Sequence, residues 1–587
     1  MNQPNDNSGE NVNNFVPETN KAPVMNENVS ISEQKNEASS QAPENIKISN
    51  NPNTDKSQNS SEDFSSHGKN SFAENLSDEV QLTDEVSNSL SQNISEPEIS
   101  DLPKTENSED QNKSEIQNKS KKRYQTPKGD TIYCDVRSIA VKILIRVERT
   151  DSYLDKLIDY EIRNELLNDY DKSLLNEICH GVIRWMRRLD WFLNGFYRGN
   201  WEKCTPEIKN ALRVALYQIL FLNKIPDFAA VNEAVEFVKR FSTQKHADVV
   251  NGLLRTIIRT KNELVYPTRE IDEVNYLGIM QSHPNWVVKR WIERFGFEQA
   301  EQLAEANNKR PILTLRINTL KANKDEILNQ FNEKNIVYRN CKYIDYFITL
   351  RLMSKIYLDE GFKNGLYTVQ DESAGLVSVL LAPKENDVIL DMCAAPGGKS
   401  THIAQITNNK AQIYAVDKYE ARLKMIKSNA ERLGVSNIKF IQDDAADLQN
   451  EEIKNMKFDK ILLDAPCSGF GVLSKKPEIR WKREMKDILA LAELQKNMLN
   501  SAVKYLKPDG VIVYSTCSTE QEENMDIVNH FLENNPDFEI DSAVNYVNPE
   551  LVNPNGCIET FPHKHSIDGS FAARLKRKNN SLQHNSS

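Results

Sequence analysis

From Val136 to Arg259 apolar side chains recur every three to four residues. The stretches "RSIAVKILIRV", "LLNEICHGVIRWMRRLDWFL", "EIKNALRVALYQILFL", "VNEAVEFVKRF" and "VVNGLLRTIIR" all carry this spacing. It lines one face of a helix, and so predicts an all-α domain over residues 135–262, broken at "TPE" and "IPD". Residues 263–308 read as a connector with one further amphipathic helix, "PNWVVKRWIERF".

The period then changes. "ILTLRINTL" alternates as a half-buried strand does, "KDEILNQFNEK" reads as a helix, and "NIVYRN" and "KIYLDEG" follow. A small α+β strand-helix-strand subdomain is expected over 309–368. It has the outline of an RNA-recognition fold but lacks the paired aromatics that would stack bases. Over 369–578 short apolar runs, "DVILDMC", "QIYAVD", "NIKFIQDD", "KILLDAP" and "GVIVYSTC", alternate with helical stretches. Strands unbroken by polar residues predict a parallel sheet covered on both faces, in a Rossmann-like α/β domain. Ligands of such sheets bind at the carboxyl ends of the strands.

Residues 1–125 show no period and are dominated by Asn, Ser, Glu, Gln and Pro. Such a segment buries too little apolar surface to offset its ordering entropy and is expected to be disordered, as is the polar tail 579–587. Residues 1–120 hold 8 Lys against 22 Asp or Glu, a net charge of -14 in a chain whose formal total is -11, so the remainder carries +3. The acidity belongs to the tail, and the rest of the chain permits an RNA partner. No run approaches the roughly 18 apolar residues of a membrane span. The N-terminus has neither a secretory nor an organellar leader pattern, so a cytoplasmic, soluble protein is expected. The eight cysteines (134, 179, 204, 341, 393, 467, 517 and 557) have no CxxC or Cys/His zinc spacing, which predicts no metal site. His180 and His246 stand singly on helical stretches and are expected to be structural. Arg184, Arg187 and Arg188 fit a solvated face or a phosphate-binding face equally well.

Candidate chemistry gathers at the strand ends of the last domain. "VILDMCAAPGGKSTHIA" is a strand, a turn of small residues and a helix start, where backbone amides can face a ligand at close range. It is neither a dinucleotide GxGxxG nor a Walker loop. Ala394, Ala395, Gly397 and Gly398 keep side chains out of the way. Acids close the first three strands: Asp391, then Asp417 where a ribose diol would be accepted, then Asp443 and Asp444. This pattern favours an adenosyl ligand without phosphates, S-adenosylmethionine.

"LLDAPC" closes the fourth strand and "YSTC" the fifth, and adjacency of these strands would bring Cys467 and Cys517 together beside the methyl donor. A thiol has a use there. Carbon 5 of a pyrimidine is a poor nucleophile until a thiolate adds to carbon 6, and an acid, here Asp464, must hydrogen-bond ring nitrogen 3 as charge builds on it. Adenine-N6 methylation needs no thiol. The spacing alone does not say which cysteine attacks.

"DMCAAPGGKS", "LLDAPCSGFGV", "PEIRW", "YSTCS" followed by "EEN", and "DGSFAARL" resemble the RNA 5-methylcytosine methyltransferases. "HGVIRWMRRLD" and "NGLLRTIIR" are similar to a NusB-type RNA-binding domain. Together, over residues 136–578, they resemble the RsmB/Sun (Fmu) family of 16S ribosomal RNA cytosine-C5 methyltransferases. The resemblance implies that Cys517 is the nucleophile and that Cys467 helps to release the product. It also implies a donor site of Cys393, Ala394, Ala395, Pro396, Gly397, Gly398, Lys399, Asp417, Arg422, Asp444 and Asp464. A monomer acting on small-subunit rRNA before full assembly is expected. Ser570 departs from the family, which usually has a second aromatic there, and predicts altered packing with chemistry retained through Phe571. A transfer-RNA cytosine methyltransferase, or a catalytically weak RNA-binding assembly factor, are the competing readings. Lastly, "SKKPEIRWKRE" sets Lys475, Lys476, Arg480, Lys482 and Arg483 around Trp481 just after the Cys467 loop, a placement that predicts phosphate contacts.

Overall fold

The computed structural model describes residues 132–165, 167–351 and 356–578. The expected tails, 1–125 and 579–587, lie outside them. The periodic stretch forms six helices: α1 (Val136–Arg149), α2 (Leu154–Asn164), α3 (Asp169–Phe196), α4 (Pro206–Phe221), α5 (Asp227–Phe241) and α6 (Gln244–Thr260). Asp135 starts α1 by accepting from the Arg137 and Ser138 amides, in a capping box with Ser138. The predicted breaks are helix starts, with Pro206 in the first turn of α4 and Pro226 preceding α5. Ile143, Leu175, Leu212, Leu216 and Leu254 are fully buried in one core. His180 bonds Asp155 and the Asn176 carbonyl, and His246 bonds Ser242, both as local structural contacts.

The connector holds three helices where the pattern predicts one: α7 (Glu273–Met280), α8 (Asn285–Phe295) and α9 (Phe297–Asn308). Gly296, at φ 78°, joins α8 to α9 without a linker, a backbone region that costs glycine little. The short α7 has too few turns to display a period. The next subdomain also has more strands than expected. β1 (Leu313–Ile317), α10 (Lys324–Glu333), β2 (Tyr338–Asn340), β3 (Phe347–Leu350) and β4 (Tyr367–Val369) form an antiparallel sheet ordered β2-β3-β1-β4. β3 and β4 are three or four residues long, too short to alternate visibly. "KIYLDEG" is not a strand: its described residues form a 3-10 turn and the start of a one-turn helix capped by Asp359.

Beyond α11 (Glu372–Leu381) lies an α/β sheet. Its elements are β5 (Val388–Asp391), α12 (Gly398–Ile406), β6 (Gln412–Asp417), α13 (Glu420–Leu433), β7 (Ile438–Gln442), β8 (Phe458–Asp464), α14 (Met485–Val503), β9 (Leu506–Thr516), α15 (Met525–Asn534), β10 (Phe538–Ile540), β11 (Ile558–Thr560) and β12 (Ser570–Arg577). The order is β10-β12-β9-β8-β5-β6-β7, with β11 on β12. The five strands β5 to β9 are parallel, as expected. β12 runs antiparallel beside β9 and carries antiparallel β10 and β11, so the sheet is mixed. Successive strand residues serve opposite faces: Leu390, Ile461 and Ile512 enter one core, while Ile389, Leu462 and Val513 enter the other.

The basic segment after the Cys467 loop does a different job from the expected one. Arg480 is fully buried and donates to the carbonyls of Ser282 and Asn307 and to Asn308 Oδ1. Trp481 Nε1 donates to the Ile183 carbonyl, and Lys482 Nζ to the carbonyls of Thr150 and Ser152. Lys475 is shared by Asp371 and Asp568, at 2.6 Å from each. These groups join the helical domain, the connector and the sheet domain, which removes Lys475, Arg480 and Lys482 from any phosphate surface. Arg184, Arg187 and Arg188 answer likewise to neither expected reading. Arg184 donates to the Ser474 carbonyl, Arg187 to His283 O and Asn275, and Arg188 to Tyr266. Buried carbonyls at a domain seam need donors, and a guanidinium carries five.

Candidate active site

The turn after β5 brings the chain across the carboxyl edge of the sheet. Met392 N donates to Leu462 O and Ala394 N to Val416 O, so the turn is tied to the strands on both sides of β5. Gly397 has φ 95°, and a Cβ there would lie 2.9 Å from Ile426 Cγ2. Glycine is therefore required for the turn to lie against α13. Burial pushes the Asp391 carboxyl up to about 7, against the hydrogen bond from Ser400 Oγ at 2.6 Å. Cys393, half-buried beside it, is held well above the usual thiol range by loss of solvent and by Asp391, Asp464 and Asp417.

Three acids ring the turn. Asp417 is buried at the end of β6, where Oδ1 accepts from the Tyr419 amide and Oδ2 lies 3.3 Å from Arg422 Nη1. Arg422 also donates to the Ala395 carbonyl, so one guanidinium ties the acid to the turn. After β7 the adjacent acids differ. Asp443 is consumed by the amides of Asp444, Gln449 and Asn450 and holds the loop together. Asp444, with 42% of its side chain exposed, takes the Ala446 amide and Lys418 and remains reachable.

At the ends of β8 and β9, Asp464 pairs in register with Ser515. Its Oδ1 accepts from Ser515 Oγ at 2.8 Å and its Oδ2 from Lys399 Nζ at 2.7 Å. Burial would lower the Lys399 ammonium, but Asp464 outweighs it and raises it. Just beyond, three residues after Asp464 and two after Ser515, Cys467 Sγ and Cys517 Sγ stand 3.2 Å apart, both free thiols, and the Cys517 amide points at Cys467 Sγ at 3.3 Å. The two are not equivalent. The hydrogen bond from Cys467 holds Cys517 below the ordinary thiol value, with help from Lys399 and Lys476 against partial desolvation and Asp464. The same bond, with desolvation and Glu523, pushes Cys467 well above it. The two thiols therefore titrate as one coupled pair, with Cys517 displaced downward and Cys467 upward.

Behind the thiols is a polar network whose members, beyond "EEN", the sequence reading did not single out. Buried Glu523 accepts from the Ser468 amide at 2.7 Å, Ser468 Oγ at 2.5 Å and Gln495 Nε2 at 3.2 Å, while Tyr514 OH donates to Glu523 O. Gln495 also donates to Pro466 O, so the turn that carries Cys467 is held from two sides. Ser515 had a readable signal, since it alternates with Cys517 and shares a strand face with it. Gln495, in the middle of α14, had none. At the departure noted for Ser570, its hydroxyl and amide bond Thr560 Oγ1 at 3.0 and 2.9 Å, a polar pairing in place of an aromatic one, and Phe571 stays buried against Tyr514. Among the described residues no group of three His, Cys, Asp or Glu could hold a metal, and no helix is long and apolar enough to cross a membrane.

Comparison with known proteins gives a consistent result. Residues 378–576 match the model of the 16S rRNA methyltransferase RsmB/F family, 135–259 the NusB family and 283–356 the RsmF/B-like ferredoxin-like domain. A probable ribosomal RNA small subunit methyltransferase B of Bacillus subtilis is 37% identical over 446 residues, which are 76% of this chain and 99% of that protein. The chain belongs to the RsmB/F methyltransferase family. A ribosomal RNA small subunit methyltransferase B of Klebsiella pneumoniae is 34% identical over 448 residues, 76% of this chain and 99% of its own. The crystal structure of PH0851 superposes with a TM-score of 0.64 at 26% identity, over 78% of this chain and 100% of that one. Both thiols, Asp464 and the small-residue turn lie inside the segment that matches the RsmB/F model.

Proposed function

We propose that this protein transfers a methyl group from S-adenosylmethionine to carbon 5 of a cytosine in small-subunit ribosomal RNA, through a covalent bond between Cys517 and carbon 6 of the base. The observation that carries this reading is the thiol pair, 3.2 Å apart at the ends of adjacent strands and next to Asp464. The names of the relatives support the RNA class, and the helical domain fits an RNA-presenting role. When bound, S-adenosylmethionine supplies an electrophilic methyl group. The donor set suits it: the turn Cys393–Lys399 has few side chains to obstruct it, Asp417 with Arg422 suits a ribose diol, and Asp444 retains an exposed oxygen for a neutral donor. In this reading residues 135–262 hold RNA and 369–578 carry out the chemistry.

Cys517, as thiolate, adds to carbon 6, and the electron pair moves toward ring nitrogen 3, which takes up a proton from solvent; the Asp464 carboxylate then accepts the hydrogen bond of that N–H. Carbon 5, now nucleophilic, accepts the methyl group. A water molecule then takes the carbon-5 proton as base, the C5–H electron pair restores the ring double bond, and the Cys517 thiolate leaves carbon 6. Cys467 assists this last stage. The test is a denaturing gel of enzyme, S-adenosylmethionine and labelled rRNA fragment. Cys467→Ala should accumulate a slow-migrating protein-RNA band, and Cys517→Ala and the double variant should give neither band nor methylated product. A band with Cys517→Ala and none with Cys467→Ala would reverse the roles. Equal methylation by all variants would remove thiol chemistry altogether.

A further inference from the structure

Helix α2 buries Leu154, Leu157, Ile158 and Glu161 and turns a different set of side chains outward. Tyr153, Lys156, Tyr160 and Arg163, spaced three and four apart, lie along one exposed face. Tyr153 is 40% exposed and Tyr160 54%. Single exposed aromatics are ordinary, but these two are flanked by cations. Lys156 Nζ lies 6.0 Å and Lys476 Nζ 5.4 Å from the Tyr153 ring centre, and the Arg146 guanidinium 5.6 Å from that of Tyr160. Lys156 and Lys476 have no carboxylate partner among the described residues, unlike Lys475 beside them. Of the acids of the helix, Asp155 bonds His180, Asp159 lies by Arg163, and Glu161 is buried against Lys142.

Lys476 connects this face to the thiols. Gly471 N donates to the Cys517 carbonyl at 2.9 Å, and the Lys476 amide closes a turn onto Val472 O at 2.9 Å, so the Lys476 backbone stands one turn beyond the contact with Cys517. Lys482 of the same segment binds the carbonyls of Thr150 and Ser152, which fixes the start of α2 against it. The helical domain and the thiol loop therefore present one continuous surface.

We infer that the Tyr153, Lys156, Tyr160 and Arg163 face of α2, continued by Lys476, is a track for the single strand of RNA next to the target base, with tyrosines stacking bases and cations meeting phosphates. The inference rests on the RNA methyltransferase reading and adds where the flanking strand runs. Aromatic platforms set among cations suit single strands, since every base has a stacking face. From Tyr153 to Arg163 the track is roughly 15 Å long at 1.5 Å per residue.

Steady-state methylation of an rRNA fragment with an unpaired flank, using the full chain, tests it. Tyr153→Ala should raise KM for RNA roughly tenfold, about 1.4 kcal/mol, with kcat at saturating RNA within about twofold, and Tyr153→Phe should restore KM. Lys476→Gln should flatten the dependence of log KM on log salt by about 0.7, as for one lost phosphate contact on a single strand. Unchanged KM in Tyr153→Ala and an unchanged salt slope in Lys476→Gln, with active wild type, would overturn the track. Should Tyr153→Ala lose its thermal transition, Tyr160→Ala, farther from the domain seam, decides by the same measurement. Should the wild type methylate nothing, the proposed function fails. Fluorescence anisotropy with a labelled single-stranded oligonucleotide still reads the track, which stands if Tyr160→Ala weakens binding and falls if it does not.

Discussion

At the scale of single residues the site turns on how one proton is divided between two thiols. Cys467 and Cys517 share one hydrogen bond, which is the largest influence on both. Removing the donor should return Cys517 toward the ordinary thiol value of about 8.5. The sign follows: in the wild type the thiolate is present at lower pH, and Cys467→Ala moves its appearance upward. Iodoacetamide labelling of Cys517, followed by mass spectrometry across pH 6 to 10, roughly the range over which thiols titrate, should show a higher midpoint in Cys467→Ala and slower labelling at pH 7. An unchanged or lower midpoint would put the charge on Cys467. The resemblance to known enzymes ordered the two cysteines before any geometry was available.

At the scale of elements, three loops meet at very short range beside the thiol pair. Gly471 N donates to Cys517 O, and Gly569 N to Gly471 O, so the loops after β8, β9 and β11 touch through backbone. A Cβ on Gly471 would fall 1.9 Å from the Gly569 carbonyl oxygen and 2.8 Å from the Cys517 carbonyl oxygen. Both neighbours are backbone and cannot swing away. Gly471→Ala should therefore destabilise the sheet domain by about 3 kcal/mol and lower kcat, while S-adenosylmethionine binding by calorimetry at a temperature below the transition is retained. Normal stability and turnover would mean that the loops are free to separate. Nothing in the "SGFGV" stretch revealed which backbone would come so close.

At the scale of the whole molecule, one buried guanidinium joins three parts of the chain. Arg480, in the sheet domain, donates to Ser282 O, Asn307 O and Asn308 Oδ1 in the connector, while Trp481 reaches Ile183 in the helical domain. Burial lowers its pKa well below the usual arginine value, so its charge is held by carbonyls in a site with little water. Arg480→Met would leave those carbonyls unpartnered, at a docking cost of roughly 2–4 kcal/mol. Differential scanning calorimetry should then resolve two transitions where the wild type shows one. A single transition at the wild-type temperature would show that the domains are held elsewhere.

What the chain reveals without its fold is whatever local chemistry dictates. The helical period of 136–259, the apolar strands of the sheet domain and the small-residue turn before Lys399 are properties of neighbours in sequence, and periodicity reports them directly. Parallel β8 and β9 follow from the same pattern, which is why two cysteines 50 residues apart were expected to meet. Tertiary structure alone decided the rest. The basic run around Trp481 has the composition of a phosphate site, yet Arg480 and Lys482 satisfy carbonyls, and Lys475 carboxylates, from distant segments. Composition cannot tell an exposed cation from one whose partners lie some 200 or 300 residues away. Tyr153, Lys156 and Tyr160 are unremarked in the sequence because a half-exposed face becomes a surface only when another domain, here through Lys476, is packed against its end.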